Sequence, residues 1–142
     1  MLSNYSDDVE EIDISNNRLT QLPDLSRFKK LQRLDCDNNQ LISLLSLPST
    51  LEIFYSYNNQ LTSLPSLPST LQKLYCFDNQ LSHLPPLPSI LQLLVCSRNQ
   101  LTHLPLETIN QWKFYSGFSR LKTNYQKDLA KKNTKKMENL LR

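Results

Sequence analysis

A repeat of about twenty residues runs through most of the chain. Five segments align over eleven positions and begin at Val9, Leu31, Leu51, Leu71 and Leu91. The first step between them is 22 residues and the next three are 20 residues. Self-similarity at such a period is the signature of a repeat architecture, in which neighbouring units stack and share one core. The sequence therefore predicts a solenoid.

Each unit begins with six residues whose side chains alternate as in a β-strand with one buried face. The first inward column comprises Ile12, Leu34, Phe54, Leu74 and Leu94, and the second comprises Ile14, Cys36, Ser56, Cys76 and Cys96. One unit cannot bury these side chains alone, but stacked units can. A fully buried leucine contributes roughly 1.5–3 kcal/mol. The second half of each unit is rich in proline, which fixes φ and favours extended, polyproline-like backbone.

The aligned segments, such as LQRLDCDNNQL from Leu31 and LQKLYCFDNQL from Leu71, resemble the leucine-rich-repeat family. The short period and the LPxLP tail are similar to the LPX subtype of bacterial effectors and giant viruses. The resemblance implies a leucine-rich-repeat solenoid, an α/β-class horseshoe fragment with a parallel sheet on the concave face and an extended convex side. It covers residues 9–106, divided as 9–30, 31–50, 51–70, 71–90 and 91–106, with an extension at 1–8 and a C-terminal segment at 107–142.

The residues that alternate with the core form an exposed concave surface, and its middle is aromatic. Adjacent parallel strands lie about 4.8 Å apart, so the rings of the third and fourth units are neighbours. Exposed aromatic side chains beside charges are typical of a protein-binding hot spot. We predict binding of a protein or peptide, for example one that offers a basic group, although cross-strand aromatic pairs also stabilise sheets without any partner. The predicted site comprises Tyr55, Tyr57, Tyr75, Phe77, Asp13, Asp35, Asp37, Lys73 and Arg98.

An asparagine recurs at the ninth position of every unit. Its amide has two donors and an acceptor, and it satisfies backbone groups where a chain turns. We therefore predict a buried structural ladder rather than a binding site. Its members are Asn17, Asn39, Asn59, Asn79 and Asn99.

Motifs for catalysis and cofactor binding are absent from the sequence. The single glycine, Gly117, excludes a glycine-rich phosphate cradle, and no serine, histidine and acid form a recognisable constellation. The three cysteines lack a short chelating pair, and His83 and His103 lack further ligands for zinc. We expect a non-enzymatic protein with no cofactor, no metal and no small-molecule substrate.

The C-terminal segment differs in chemistry from the repeats. Residues 111–142 carry nine Lys/Arg and two Asp/Glu, whereas residues 1–110 carry seven and eleven. Apolar residues from Ile109 to Leu129 recur every three or four positions, which predicts an amphipathic helix that caps the last repeat. The lysines beyond it favour a solvated tail, with contact to anionic membrane or nucleic acid as the alternative.

The LPX resemblance implies a further alternative, because some effectors of this type are ubiquitin ligases. Their catalytic domain follows the repeats and carries a nucleophilic cysteine, whereas no cysteine follows Leu106 here. The chain would then be a substrate-recognition module that lacks its catalytic domain. The unpaired cysteine count and the polar N-terminus indicate a cytoplasmic protein, in the host cell for an effector. We expect a monomer, although an open edge on the first strand would permit self-association.

Overall fold

Five short parallel strands form the only sheet in the computed structural model, which describes residues 1–102. Their order in the sheet is their order in the chain, so each coil of backbone places one strand beside the last. The predicted solenoid with a parallel sheet is confirmed. The strands are β1 (Glu11–Asp13), β2 (Arg33–Asp35), β3 (Ile53–Tyr55), β4 (Lys73–Tyr75) and β5 (Leu93–Val95).

Equivalent positions of consecutive units lie side by side. Leu34 is in register with Ile12 on β1 and with Phe54 on β3. The ladder continues beyond the strands, where the amide of Cys36 donates to the carbonyl oxygen of Tyr55 at 2.9 Å. One coil of the solenoid therefore corresponds to one period of the sequence.

The two inward columns form the core, and every member is at most 2% exposed. The second column tolerates cysteine and serine because a short polar atom can reach the next coil. The Cys36 thiol lies 3.3 Å from the carbonyl oxygen of Tyr55, and the Ser56 hydroxyl lies 3.4 Å from that of Tyr75. The first unit is two residues longer than the others. It contains Phe28, whose buried side chain extends the core at this end.

The convex side is built of turns and irregular chain. Tight turns close at Pro48, Pro68 and Pro88, whose carbonyl oxygens accept hydrogen bonds from the amides three residues later at 3.1–3.2 Å. Residues 1–102 contain a single short 3-10 helix, Leu2–Asn4, and no helix among them is long and apolar enough to cross a bilayer. The predicted helical cap at 107–142 lies outside the described residues.

The N-terminal extension covers the outer edge of β1 at its C-terminal end, so the expectation of an open edge is wrong there. The Tyr5 hydroxyl donates to the carbonyl oxygen of Asp13 at 3.1 Å and accepts from its amide at 3.3 Å. The Tyr5 ring packs edge-on against Phe28, with centroids 6.5 Å apart. Arg27 holds the extension by donating to the carbonyl oxygens of Leu2 and Tyr5 at 2.6 and 3.0 Å, and it also pairs with Asp7.

Candidate functional site

All residues of the predicted binding site except Arg98 lie at positions that alternate with the core, and Arg98 lies in the turn that follows β5. The register places Asp35 beside Tyr55, and Tyr55 beside Tyr75, as the spacing predicts. These three side chains are half-buried, so the surface is accessible but is already packed against itself. Tyr55, Tyr57, Tyr75 and Phe77 are called the aromatic patch below.

The aromatic patch consists of two stacked pairs. The ring centroids of Tyr55 and Tyr75 are 4.5 Å apart with 12° between their planes. Those of Tyr57 and Phe77 are 4.4 Å apart with 6° between their planes. Tyr55 and Tyr57 meet edge to face at 6.4 Å. These separations are close to the spacing of neighbouring strands, so the rings face one another across β3 and β4.

Stacking decides which parts of the rings a partner can reach. The faces between β3 and β4 cover each other, which leaves ring edges, hydroxyl groups and the outer faces of each pair. Burial raises the pKa of both Tyr55 and Tyr57, and a hydrogen bond to Asp37 raises that of Tyr57 further. Both hydroxyls are therefore protonated at neutral pH and act as hydrogen-bond donors.

Arg33 belongs to this surface, although the sequence did not single it out. Its guanidinium donates hydrogen bonds to both carboxylate oxygens of Asp35, from Nε to Oδ1 at 3.1 Å and from Nη2 to Oδ2 at 2.9 Å. Its Cζ atom also lies 5.0 Å from the centroid of the Tyr55 ring, where a cation is attracted by the π-face. The hydrogen bonds to Asp35 raise the pKa of Arg33, so its positive charge is permanent. The available sequence signal was its place two residues before Asp35, on the same strand face.

The three aspartates of the predicted site are already engaged. Asp13 accepts hydrogen bonds from the amide and hydroxyl of Ser15 at 2.9 and 2.6 Å, and these bonds lower its pKa. Asp35 is paired with Arg33, as described above. Asp37 is only 6% exposed and accepts from the Asn38 amide at 2.8 Å and from Tyr57. The prediction that Asp37 is an exposed charge is wrong, because its neighbours enclose it.

The two predicted cationic residues differ in their surroundings. Arg98 pairs with Asp78 at 3.2 Å, yet its side chain remains 78% exposed. Lys73 is half-buried and takes part in none of the ion pairs found within residues 1–102. Both cations therefore retain capacity for a further acidic partner.

The residue at the eighth position of each unit adopts a left-handed backbone conformation. These residues all have φ between 51° and 56°, in the left-handed region that asparagine and aspartate tolerate better than other non-glycine residues. Four units meet this requirement, whereas the fifth has an arginine there. The column reads Asn16, Asn38, Asn58, Asp78 and Arg98.

The ninth-position asparagines bridge neighbouring coils. The side-chain oxygen of Asn59 accepts a hydrogen bond from the backbone amide of Leu41 at 2.9 Å. Its side-chain NH2 group donates to the backbone carbonyl oxygens of Cys36 and Ser56, both at 3.1 Å. Asn39 and Asn79 are equally buried, and Asn99 is half-buried. Asn17 does not fit the prediction of burial, because no earlier coil covers it and its side chain is exposed.

The sulfur and imidazole groups of residues 1–102 do not form a metal site. Cys36, Cys76 and Cys96 are free and buried, and burial raises the pKa of each thiol, to about 12 for Cys96. His83 is exposed with its ring 3.2 Å from the Ser82 hydroxyl, whereas His103 lies outside the described residues. In the part of the chain that the structure describes, no three His, Cys, Asp or Glu side chains are grouped to hold a metal ion.

Known proteins share this architecture. A family model described as two copies of leucine-rich repeats matches residues 8–51. YopM from Yersinia enterocolitica matches 68% of the chain at 36% identity and a TM-score of 0.65. A Shigella effector leucine-rich-repeat domain also matches 68% at 36% identity, with a TM-score of 0.66. A leucine-rich-repeat protein from Leptospira interrogans matches 77% at 27% identity, with a TM-score of 0.54.

These matches cover only part of the larger proteins. The chain spans 22% of the Yersinia protein, 44% of the Shigella domain and 36% of the Leptospira protein. No curated protein sequence matches the chain.

Proposed function

This chain is a leucine-rich-repeat protein, and we propose that it acts without catalysis, by binding a protein or peptide on its concave face. Domains of this class are typically interaction modules whose curved inner surface is extended and accessible. The observation that carries the proposal is the aromatic patch, which concentrates four rings in two adjacent units of that surface.

The composition around the patch supports binding over stabilisation alone. Stacked aromatic pairs are worth about 0.5–1.5 kcal/mol beyond their buried area, so the rings also stabilise the sheet. However, any well-packed cross-strand pair serves that purpose. Four rings rimmed by Arg33, Lys73 and Arg98 have the composition of a hot spot: aromatic anchors with a polar rim.

The test compares partner capture by folded variants. Immobilised wild type and the Tyr55→Ala/Tyr75→Ala variant are exposed to the same host-cell extract, and bound proteins are quantified by mass spectrometry. We expect the partner to be lost from the double alanine variant. A Leu45→Ala control changes a side chain that is 97% exposed on the convex side, so it should capture the partner fully. Equal capture by the folded double variant would remove the proposal.

Two of the similar solved structures favour a related role. Because solved proteins with this fold are described as effectors, the chain is a candidate recognition module that recruits a target inside a host cell. The three free cysteines agree with a reducing compartment such as cytoplasm. The assignment to the LPX subtype and to a ubiquitin-ligase system stays a prediction. A ubiquitin-transfer assay tests it, and we expect no transfer by this chain alone.

A further inference from the structure

The charges left available beside β4 and β5 on the concave face are positive. Asp35 is paired with Arg33, and Asp37 is buried. Asp13 and Glu11 are exposed acids, but both lie on β1, three strands from β4, which is about 14 Å at ordinary strand spacing and beyond the screening length in physiological salt. Around β4 and β5 the accessible charge therefore comes from Lys73, which has no ion pair within residues 1–102, and from Arg98, whose side chain stays 78% exposed although it pairs with Asp78.

Those cations flank a step in the sheet surface. In the third and fourth units the fifth and seventh positions carry rings, whereas in the fifth unit they carry Val95 and Ser97. Val95 is in register with Tyr75, so the large ring stands beside a short side chain. We call the space over Val95 and Ser97, bounded by Tyr75 and Phe77, the β4–β5 step.

The step also exposes ring faces that the other end of the patch does not. Between β3 and β4 the faces are covered by stacking, and the outer face of Tyr55 lies against Arg33. On the side of β5, the register puts Val95 beside Tyr75, and the equivalent neighbour of Phe77 is Ser97, so short side chains stand where the other side of each pair has a ring. An apolar side chain of a partner could pack against both rings at this point.

We propose that the partner presents an apolar side chain to the β4–β5 step and a neighbouring carboxylate to Lys73 and Arg98. The partner is thus an acidic protein segment. The sequence alone suggests a basic partner, because in it the aspartates count as available charges. This inference rests on the proposed function, since it specifies what the concave face binds. Nucleic acid is disfavoured because most ring faces are stacked against the protein and cannot take up bases.

The test is a selection from a phage-displayed library of random dodecapeptides on the folded full-length chain. We expect enriched peptides to contain Asp or Glu close to an apolar residue. For a synthetic peptide of the most enriched sequence (the winner), fluorescence anisotropy should show at least tenfold weaker binding to Lys73→Glu and to Ser97→Tyr. The Ser97→Tyr change fills the step with a third ring. Lys29→Glu, an identical change at an exposed position outside the face, is the charge control and should bind like wild type.

The outcomes separate the two proposals. Peptides that lose binding with Tyr75→Ala but are basic, or are insensitive to Lys73→Glu, would overturn the acidic-partner inference and leave the concave-face function intact. Peptides insensitive to Tyr75→Ala would overturn both, and so would the absence of any enrichment. An oligonucleotide that binds as tightly as the winner, with the same dependence on Lys73, would overturn the assignment to a protein segment.

Discussion

The hydroxyl of Tyr5 satisfies both the carbonyl oxygen and the amide of Asp13, at 3.1 and 3.3 Å. Asp13 ends the first strand, and both groups point away from β2, toward the side where a further strand would add. Exposed strand edges template pairing between chains, and natural proteins cover them. One phenol group therefore replaces a missing neighbouring strand at this position.

Removing that hydroxyl should weaken the fold and expose the edge. Tyr5→Phe keeps the ring contact with Phe28 and deletes only the two hydrogen bonds, so we expect a loss of about 0.5–1.5 kcal/mol in unfolding free energy. Urea titration measures this loss, and light scattering measures association. We expect wild type to be a monomer and the variant to associate more at high concentration. Unchanged stability and mass would contradict the capping role.

The ladder asparagines should differ according to their burial. Asn59→Leu leaves the buried Leu41 amide without its acceptor, and such a group costs about 1–3 kcal/mol. It also removes one of the two asparagine donors to the Ser56 carbonyl oxygen, which keeps only the bond from Asn79. We expect a loss on the order of 3 kcal/mol in chemical denaturation. Asn17→Leu is the matched control, because Asn17 is exposed, and its effect should be small. Equal effects of the two changes would argue against the ladder.

Arg98 should be replaceable with a gain in stability. Its φ of 52° lies in the left-handed region, which costs most residues about 1–2 kcal/mol but is tolerated by asparagine. Arg98→Asn should therefore stabilise the fold by up to about 1 kcal/mol, less the small contribution of the exposed pair with Asp78. Arg98→Ala removes the same pair without relieving the backbone, so it should not be stabilising. A thermal melt of the three proteins decides between these outcomes.

Alkaline pH should destabilise the fold through its buried thiols. Burial raises the pKa of Cys36, Cys76 and Cys96 above the ordinary value of 9.0. Below pH 9 the thiols are neutral in both states, so the fold has its full stability. Above it the unfolded chain loses protons that the folded chain retains, and unfolding becomes easier by about 1.4 kcal/mol per thiol for each pH unit.

The measurement is the unfolding free energy at pH 8 and pH 10. The raised pKa values of Tyr55 and Tyr57 act in the same direction, but only above about pH 10. A variant with alanine at the three cysteine positions should lose most of the dependence between these pH values. An equally steep fall in that variant would show that other groups are responsible.

Much of the surface geometry follows from the repeat. Because each coil is one period long, residues twenty apart stand side by side, which is why Tyr55 stacks on Tyr75. Burial of Asp37 and the role of Arg33 did not follow, because they depend on side-chain conformation and hydrogen bonds, and the spacing of residues carries no such information. From its sequence context, Arg98 is likewise interpreted only as an exposed charge. Its left-handed backbone conformation is seen only in the structure.

The sequence by itself determined the solenoid, the parallel sheet and the concave position of the aromatic patch. Stacking identical units leaves one arrangement that buries every inward column, so a pattern of apolar residues is sufficient. The tertiary structure alone decided how the N-terminal extension closes the first edge and which charges remain available. Tyr5 and Arg27 act on backbone far from them in sequence, Asp35 is paired with Arg33, and Asp37 is buried. Only assembled contacts therefore reveal that Lys73 and Arg98 are the accessible charges beside the patch.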